Sequence, residues 1–223
     1  MDVIGTNNNA ITFASKINSK LRDLLDENSN LMLGGQLIRY GFAGLTNNLY
    51  KDYKDRFITY SVSESLMNSS AMGLALAGKK VIMFHVRMDF LASGMCALVN
   101  HIPIWSSKGI DLPITMVCQV GKGMGQGPQH SKDLTSWFSN FEGWSVLIPE
   151  TPNQAAIMLE DSVRGSKPVM YIIHRELFDE PRGKKIFIPT KIRLCGASQR
   201  HEERFYGSDF ISGPDKVKKT FTK

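Results

Sequence analysis

The stretch "FITYSVSESLMNSSAMGLALAGKKVIMFHV" (residues 57–86) has two strand-like runs that flank a helix-like run. Residues 57–62 and 80–86 are rich in β-branched and aromatic side chains, as strands are. Residues 65–77 between them are almost entirely small or apolar, and Gly78 followed by two lysines is a typical helix end. Strands joined through a helix in this way run parallel within one sheet. The stretch therefore predicts one unit of a parallel α/β fold.

The same alternation continues along most of the chain. We predict helices over 10–27, 42–56, 65–77, 89–102, 133–141 and 151–165, and strands over 30–35, 57–62, 80–86, 113–120, 144–149 and 168–174. Continuous apolar strands separated by helices predict an α/β sandwich, in which a mostly parallel central sheet is covered on both faces. We assign residues 1–180 to this domain. Residues 181–223, rich in charge, Gly and Pro, are expected to form a basic C-terminal tail without a core of its own.

Glu64 stands at the carboxyl end of one predicted strand and at the start of the small, apolar helix. A buried carboxylate is costly unless a hydrogen-bond donor or a charge is paired with it. Asp89 and the loop 121–131 also follow strands, and ligands of parallel sheets bind at these strand ends. The partner of Glu64 is therefore expected to come either from the protein or from a ligand.

The loop "GKGMGQGPQHS" (121–131) has glycine at every second position of its first half. It matches neither the P-loop nor the dinucleotide fingerprint, which disfavours an unrelated Rossmann-like protein. The glycines fit either tight turn geometry or close approach of a cofactor. His130, within this loop, is either an active-site residue or surface, whereas His85 and His174 are expected to be core histidines with hydrogen-bond partners. The histidines show no metal-binding spacing, so we expect that this chain alone holds no metal.

Composition narrows the classes of partner. Residues 181–223 contain 11 Lys/Arg and 4 Asp/Glu, whereas residues 1–180 contain 16 and 17, so the net charge of +6 comes from the tail. A neutral body disfavours nucleic-acid binding. The sequence has three scattered cysteines, no apolar run of membrane-spanning length and no signal peptide, so we expect a cytoplasmic protein without disulfides, zinc or a membrane span.

Four segments in order carry a family resemblance: "VSESLMNSSAMGLALAGKKVIMF", "DFLASGMCALVN", "GPQHS" and "VLIPETPNQAAIMLEDSVRGSKPVMYIIHRELF". From about residue 10 to 180 the sequence resembles the transketolase-like pyrimidine-binding domain of thiamine-diphosphate enzymes. The likeness is greatest to the β chain of the E1 component of 2-oxoacid dehydrogenases. This resemblance implies the three-layer thiamine-diphosphate-binding fold, in its pyrimidine-type form.

The resemblance also implies roles for individual residues. Glu64 matches the catalytic glutamate that contacts N1′ of the cofactor's aminopyrimidine ring, and Phe90 matches the aromatic residue that packs against that ring. His130 matches the active-site histidine that handles protons or binds a substrate carboxylate or oxyanion. The family β chain usually has acids where this sequence has Gly35 and Gln36. Proton sharing near Glu64 is therefore expected to differ.

An absent motif implies a second polypeptide. The family holds diphosphate and Mg²⁺ through "GDG…N" on another domain, and this sequence contains no "GDG". The resemblance therefore implies a diphosphate-binding α-type partner, in an α2β2 heterotetramer acting on a 2-oxo acid, ketose or aldehyde. The family β chain continues into a further domain, whereas this sequence extends only about 40 residues beyond residue 180. This difference favours a two-chain decarboxylase, carboligase or transketolase-like enzyme over a dehydrogenase subunit. An E1 β-type dehydrogenase subunit and a non-catalytic regulatory paralogue are the alternatives.

Overall fold

A six-stranded, all-parallel sheet forms the centre of the protein. The computed structural model describes residues 11–181, so the predicted tail lies almost wholly outside the described residues. The strands are β1 (Leu31–Gly35), β2 (Phe57–Thr59), β3 (Lys80–His85), β4 (Ile114–Val120), β5 (Ser145–Leu147) and β6 (Val169–His174), arranged in the order β2-β1-β3-β4-β6-β5. The parallel sheet predicted from the sequence is confirmed.

Helices cover both faces of the sheet. They are α1 (Phe13–Glu27), α2 (Leu49–Asp52), α3 (Glu64–Leu76), α4 (Ile102–Ser107), α5 (Thr135–Ser139) and α6 (Pro152–Arg164). The two long outer helices have the caps that their sequences predict. Thr12 accepts a hydrogen bond from the Ser15 amide at the start of α1, and Thr151 and Gln154 form a capping box at the start of α6. Among residues 11–181, no helix is both long and apolar enough to cross a bilayer.

The sheet separates two apolar cores because side chains alternate between its faces along each strand. Ile82 and Phe84 of β3 belong to the core shared with α1 and α6. Val81 and Met83 face the other core, which includes α3, α5 and the segment after β3. The second core lies beneath the candidate site.

The predicted helix over 42–56 is wrong as a continuous element. The chain forms 3₁₀ turns at Phe42–Gly44 and Lys54–Arg56, with the single turn α2 between them. Left-handed backbone interrupts any helix here, because Ala43 has φ 46° and Asn48 has φ 62°.

The predicted helix over 89–102 is also wrong in its regularity. It consists of 3₁₀ turns over Met88–Gly94 and a π-helix over Ala97–His101, and then continues as α4. Pro103 has no N–H and cannot donate to the carbonyl of Val99, so the ladder is interrupted where the π turn meets α4. The segment is partly exposed, since Phe90, Cys96 and His101 lie at the surface.

Candidate active site

Three connections leave the carboxyl edge of the sheet and meet there. Glu64 follows β2, the turn 88–94 follows β3, and the glycine loop follows β4. The turn joins the other two, because Ser93 binds Glu64 and Asp89 accepts a hydrogen bond from the Lys132 amide at 2.9 Å. The predicted site residues on these three connections are therefore brought to one place.

The Glu64 carboxylate is buried, with 7% of the residue exposed, at the first position of α3. The Ser63 hydroxyl caps this helix by accepting from the Leu66 amide at 3.4 Å. Gln36 Nε2 donates to Glu64 Oε1 at 3.2 Å, and Ser93 Oγ donates to Oε2 at 2.9 Å. Within residues 11–181 no Lys or Arg is ion-paired with it. Glu64 therefore has two neutral donors and no cationic partner within the part of the chain that the structure describes.

Gly94 lets the 88–94 turn lie directly on the first turn of α3. A Cβ placed at Gly94 would lie 2.8 Å from the backbone carbon of Glu64 and would also collide with Nδ2 of Asn68. The same Asn68 amide donates to the Gly94 carbonyl at 3.1 Å. Gly94 therefore allows a backbone contact that places Ser93 against the carboxylate.

Gly94→Ala is expected to destabilise the protein by about 1–3 kcal/mol, because an overpacked contact forces the backbone to shift. Gly73→Ala is the matched control, since Gly73 lies on the exposed face of α3 and a Cβ added there would meet no neighbouring atom within 4 Å. The control is expected to stabilise by about 0.5–1 kcal/mol, because alanine is the better helix former. Urea unfolding of both variants checks the sign. Equal effects of the two substitutions would contradict the close packing at Gly94.

Phe90 and His130 form an aromatic pair at the surface of the site. Their ring centroids are 5.4 Å apart and their planes are 84° apart, an edge-to-face contact. Phe90 is 38% exposed, so part of its ring is free to pack against another flat group. His130 Nδ1 is buried and has no hydrogen-bond partner among the described residues.

The glycine loop serves two different purposes. Gly123, Gly125 and Gly127 have φ values of 82°, 69° and 82°, which side chains rarely allow, so these positions follow turn chemistry. At Gly121 the close approach comes from the protein itself. A Cβ there would lie 3.0 Å from Arg87 Nε and would collide with the His130 carbonyl oxygen. Close approach of a cofactor to this loop stays a prediction.

Arg87 is a buried cation under this loop and is not among the site residues predicted from the sequence. Its guanidinium donates to the Gln126 side chain and to the Val86 carbonyl. Burial lowers the pKa of Arg87, which the charge of Asp89 opposes. The contact with Gln126 ties the exposed loop to the end of β3.

His85 and His174 are buried in their strands as predicted, but the expectation that they are fully hydrogen-bonded is wrong. The Nε2 atoms of both have no partner among residues 11–181. Burial lowers the pKa of His85 to about 4, although the charge of Glu64 opposes this, so the ring is neutral at physiological pH. Burial also lowers the pKa of His174. His85 is therefore a neutral neighbour of Glu64, not its counter-ion.

Comparison with known proteins decides the family. The model of the family "Transketolase, pyrimidine binding domain" matches residues 9–180. The chain belongs to this family. The resemblance seen in the sequence is confirmed, and family membership implies thiamine diphosphate as the cofactor.

Several curated relatives are named as β subunits of enzymes. The chain is 28% identical over 142 residues to the acetoin:2,6-dichlorophenolindophenol oxidoreductase subunit beta of Cupriavidus necator, covering 62% of this chain and 42% of the relative. It is 27% identical over 169 residues to the pyruvate dehydrogenase E1 component subunit beta of Chaetosphaeridium globosum, covering 71% and 52%. This transketolase-like chain therefore spans about half the length of the curated relatives it matches.

Solved structures support the fold. The chain is similar to a split gene transketolase, described as an inactive beta4 tetramer, with a TM-score of 0.61 and 18% identity over 81% of this chain and 55% of that one. It is also similar to a transketolase from Pichia stipitis, with a TM-score of 0.62 and 19% identity over 77% and 26%. The three-layer fold of the transketolase pyrimidine domain is thus confirmed.

The residues present fit the aminopyrimidine part of that cofactor. A ring nitrogen that carries a proton needs an acceptor, and each Glu64 oxygen keeps a lone pair beyond the bond from Gln36 or Ser93. A flat ring needs an apolar face, and Phe90 exposes one. In residues 11–181 there is no group of three or more His, Cys, Asp or Glu side chains that could hold a metal ion.

Proposed function

We propose that this chain is the pyrimidine-binding subunit of a two-chain, thiamine-diphosphate-dependent transferase or lyase. The reaction cleaves or forms a C–C bond next to a carbonyl, by decarboxylation or carboligation of a 2-oxo acid or by transketolase-like ketol transfer. The observation that carries the proposal is the Glu64 carboxylate, which is buried at a strand end and, among residues 11–181, is bound by neutral donors only. A site of this kind is costly in free energy unless a ligand uses its charge.

Each site residue has a distinct role in this proposal. Glu64 accepts a hydrogen bond from the ring nitrogen N1′ and exchanges a proton with it, while Phe90 packs against the ring face. His130 binds the substrate carboxylate or oxyanion, or transfers a proton to it, because its ring lies beside Phe90 at the carboxyl edge of the sheet. When bound, the cofactor supplies the electron sink for the bond that changes.

A partner chain completes the site. We assign the diphosphate and Mg²⁺ to an α-type subunit that carries "GDG…N", in an α2β2 heterotetramer in the cytoplasm. The names of the curated relatives, which are β subunits, support a heteromeric assembly. A 2-oxo acid, ketose or aldehyde is the expected substrate class.

The second candidate is an E1 β-type subunit of a 2-oxoacid dehydrogenase complex. The relatives named pyruvate dehydrogenase E1 component subunit beta favour it. Transfer of the acyl group to a lipoyl-bearing protein distinguishes this candidate from a decarboxylase or a transketolase-like enzyme. A non-catalytic paralogue is disfavoured because a purely structural subunit has no need of a buried, uncompensated carboxylate.

The test of this proposal is cofactor binding with and without the partner. Calorimetry of the purified chain with thiamine diphosphate and Mg²⁺ is expected to show weak binding or none. Co-purification with a genomically adjacent chain that carries "GDG…N" is expected to give Mg²⁺-dependent binding and turnover. Tight Mg²⁺-dependent binding by this chain alone would contradict the two-chain assignment, and no binding by the assembled pair would remove the proposed function.

A further inference from the structure

The two oxygens of Glu64 are held by donors of different kinds. Gln36 Nε2, which binds Oε1, also lies 3.7 Å from Met67 Sδ. A thioether sulfur can only accept, so both neighbours orient the amide with its NH₂ group inward. Gln36 is thus a fixed donor to Glu64.

Ser93 is a donor that can reverse. Its Oγ lies 2.9 Å from Glu64 Oε2 and also 2.9 Å from the carbonyl oxygen of Phe90. The hydroxyl has one proton, so it donates to only one of these acceptors at a time. Rotation about the Cβ–Oγ bond changes the acceptor of the hydroxyl proton from the side chain of Glu64 to the backbone carbonyl of Phe90. The Oγ atom is then free to accept a hydrogen bond from residue 64.

We propose that Gln36 and Ser93 are positioning residues that hold both oxygens of Glu64, and that Ser93 turns its hydroxyl to Phe90 when Oε2 carries a proton. The role toward the cofactor ring rests on the proposed function above. The proton on Oε2 belongs to Glu64 and is exchanged with water or with a ring nitrogen. The Ser93 proton is not transferred but only changes acceptor. The carboxyl group can therefore change its protonation state without losing a hydrogen bond.

Glu64→Gln reproduces the protonated state in a form that can be observed. The fixed Gln36 amide requires an acceptor, so the carbonyl oxygen of the new amide faces Gln36. Its NH₂ group then faces Ser93, which accepts by turning its own proton to the Phe90 carbonyl.

Thermal unfolding of the full chain without cofactor tests the contact. Ser93→Ala is expected to lower the melting temperature by about 2–4 °C in the Glu64→Gln background, where the hydrogen bond joins neutral groups, and by more in the wild-type background, where the acceptor is charged. Ser93→Thr, which keeps the hydroxyl, is expected to restore it. An unchanged melting temperature of Ser93→Ala in the wild-type background would overturn the hydrogen bond between Ser93 and Glu64. A lowered melting temperature in the wild-type background alone would overturn the proposal that Ser93 turns its hydroxyl to Phe90 and accepts from residue 64.

NMR of the Glu64→Gln chain with ¹⁵N-labelled glutamine tests the direction directly. The new side-chain NH₂ protons are expected to show nuclear Overhauser contacts to the β-protons of Ser93. Contacts to the Gln36 side chain instead would overturn the turning of Ser93.

Kinetics of the reconstituted enzyme test positioning. Ser93→Ala is expected to lower kcat by about 10–100-fold, the loss of one hydrogen bond to a charged group, with KM and cofactor affinity unchanged. Ser93→Thr is expected to recover most of kcat. Ser107→Ala is the matched control, because the Ser107 hydroxyl also donates to a carbonyl at 2.9 Å, that of Ile104 on α4. Wild-type kcat in Ser93→Ala would overturn the positioning role.

Different results would overturn the proposed function and the positioning role of Ser93. If Glu64→Gln leaves the reconstituted enzyme fully active, the proposed function fails, whereas the melting and NMR measurements on the chain without cofactor still report on Ser93. If those measurements fail while Glu64→Gln abolishes turnover, only the positioning proposal is overturned.

Discussion

Glu64→Gln is expected to slow exchange of the cofactor C2 proton by about 10²–10⁴-fold in the reconstituted enzyme, the usual range for loss of a positioned acid–base group. The isolated chain is expected to be as stable as the wild type or more stable. The physical reason is that a neutral amide costs less to bury than a carboxylate, while it cannot exchange the proton. Hydrogen–deuterium exchange at C2 and thermal melts of the isolated chain check the two parts.

Glu142→Gln is the matched control because it makes the same chemical change at an exposed position. It is expected to alter neither the exchange rate nor the melting temperature. A structural Glu64 gives the opposite pattern: normal exchange together with a melting temperature lowered by a few degrees, about 2–4 °C for each ~1 kcal/mol in a domain of this size. That result would remove Glu64 from the active site.

Replacing His130 is expected to lower turnover by about 10²–10⁴-fold while cofactor affinity stays within a few-fold of the wild type. His130→Ala also removes the edge-to-face contact with Phe90, which is worth about 0.5–1.5 kcal/mol and helps to fix the Phe90 ring. His130→Phe keeps an aromatic ring at this position and removes both nitrogens. Steady-state kinetics and calorimetry on both variants separate the chemical role from the packing role.

His101→Ala is the control for His130, because His101 is an exposed histidine on the π-helix. Its turnover is expected to equal that of the wild type. If His130→Phe retains full activity, His130 supports Phe90 and is otherwise a polar loop residue.

The sheet could be predicted because each strand is a local apolar run with a helix beside it. Strand and helix bounds such as 168–174 against Val169–His174, or 65–77 against Glu64–Leu76, agree within a residue or two. The segments 42–56 and 89–102 could not be predicted in detail. Their apolar spacing is helical, but left-handed residues such as Asn48 and the proline at 103 break the helices.

Site residues that directly follow a strand could be predicted from the sequence. Site residues whose position depends on packing between distant segments could not. Glu64 and the glycine loop follow strands in the sequence, so their common location could be inferred. Ser93 carries no such signal, since its contact with Glu64 depends on the close approach that Gly94 allows. The sequence indicates Gln36 only as a departure from the family pattern, whereas in the structure its amide donates to the Glu64 carboxylate.

The first and last described elements are tied together by backbone hydrogen bonds. The amide of Phe13 donates to the carbonyl of Glu180 at 3.1 Å, and that of Ala14 donates to Phe178 at 3.0 Å. A folding unit whose entry and exit points coincide can be spliced into a longer polypeptide, or separated from it, without rearranging its sheet. The similar transketolase from Pichia stipitis, of which the matched part is 26%, carries this fold within a much longer chain. During evolution, a gene for this fold can therefore be fused to the gene for a neighbouring domain or separated from it, and the fold is retained in both cases.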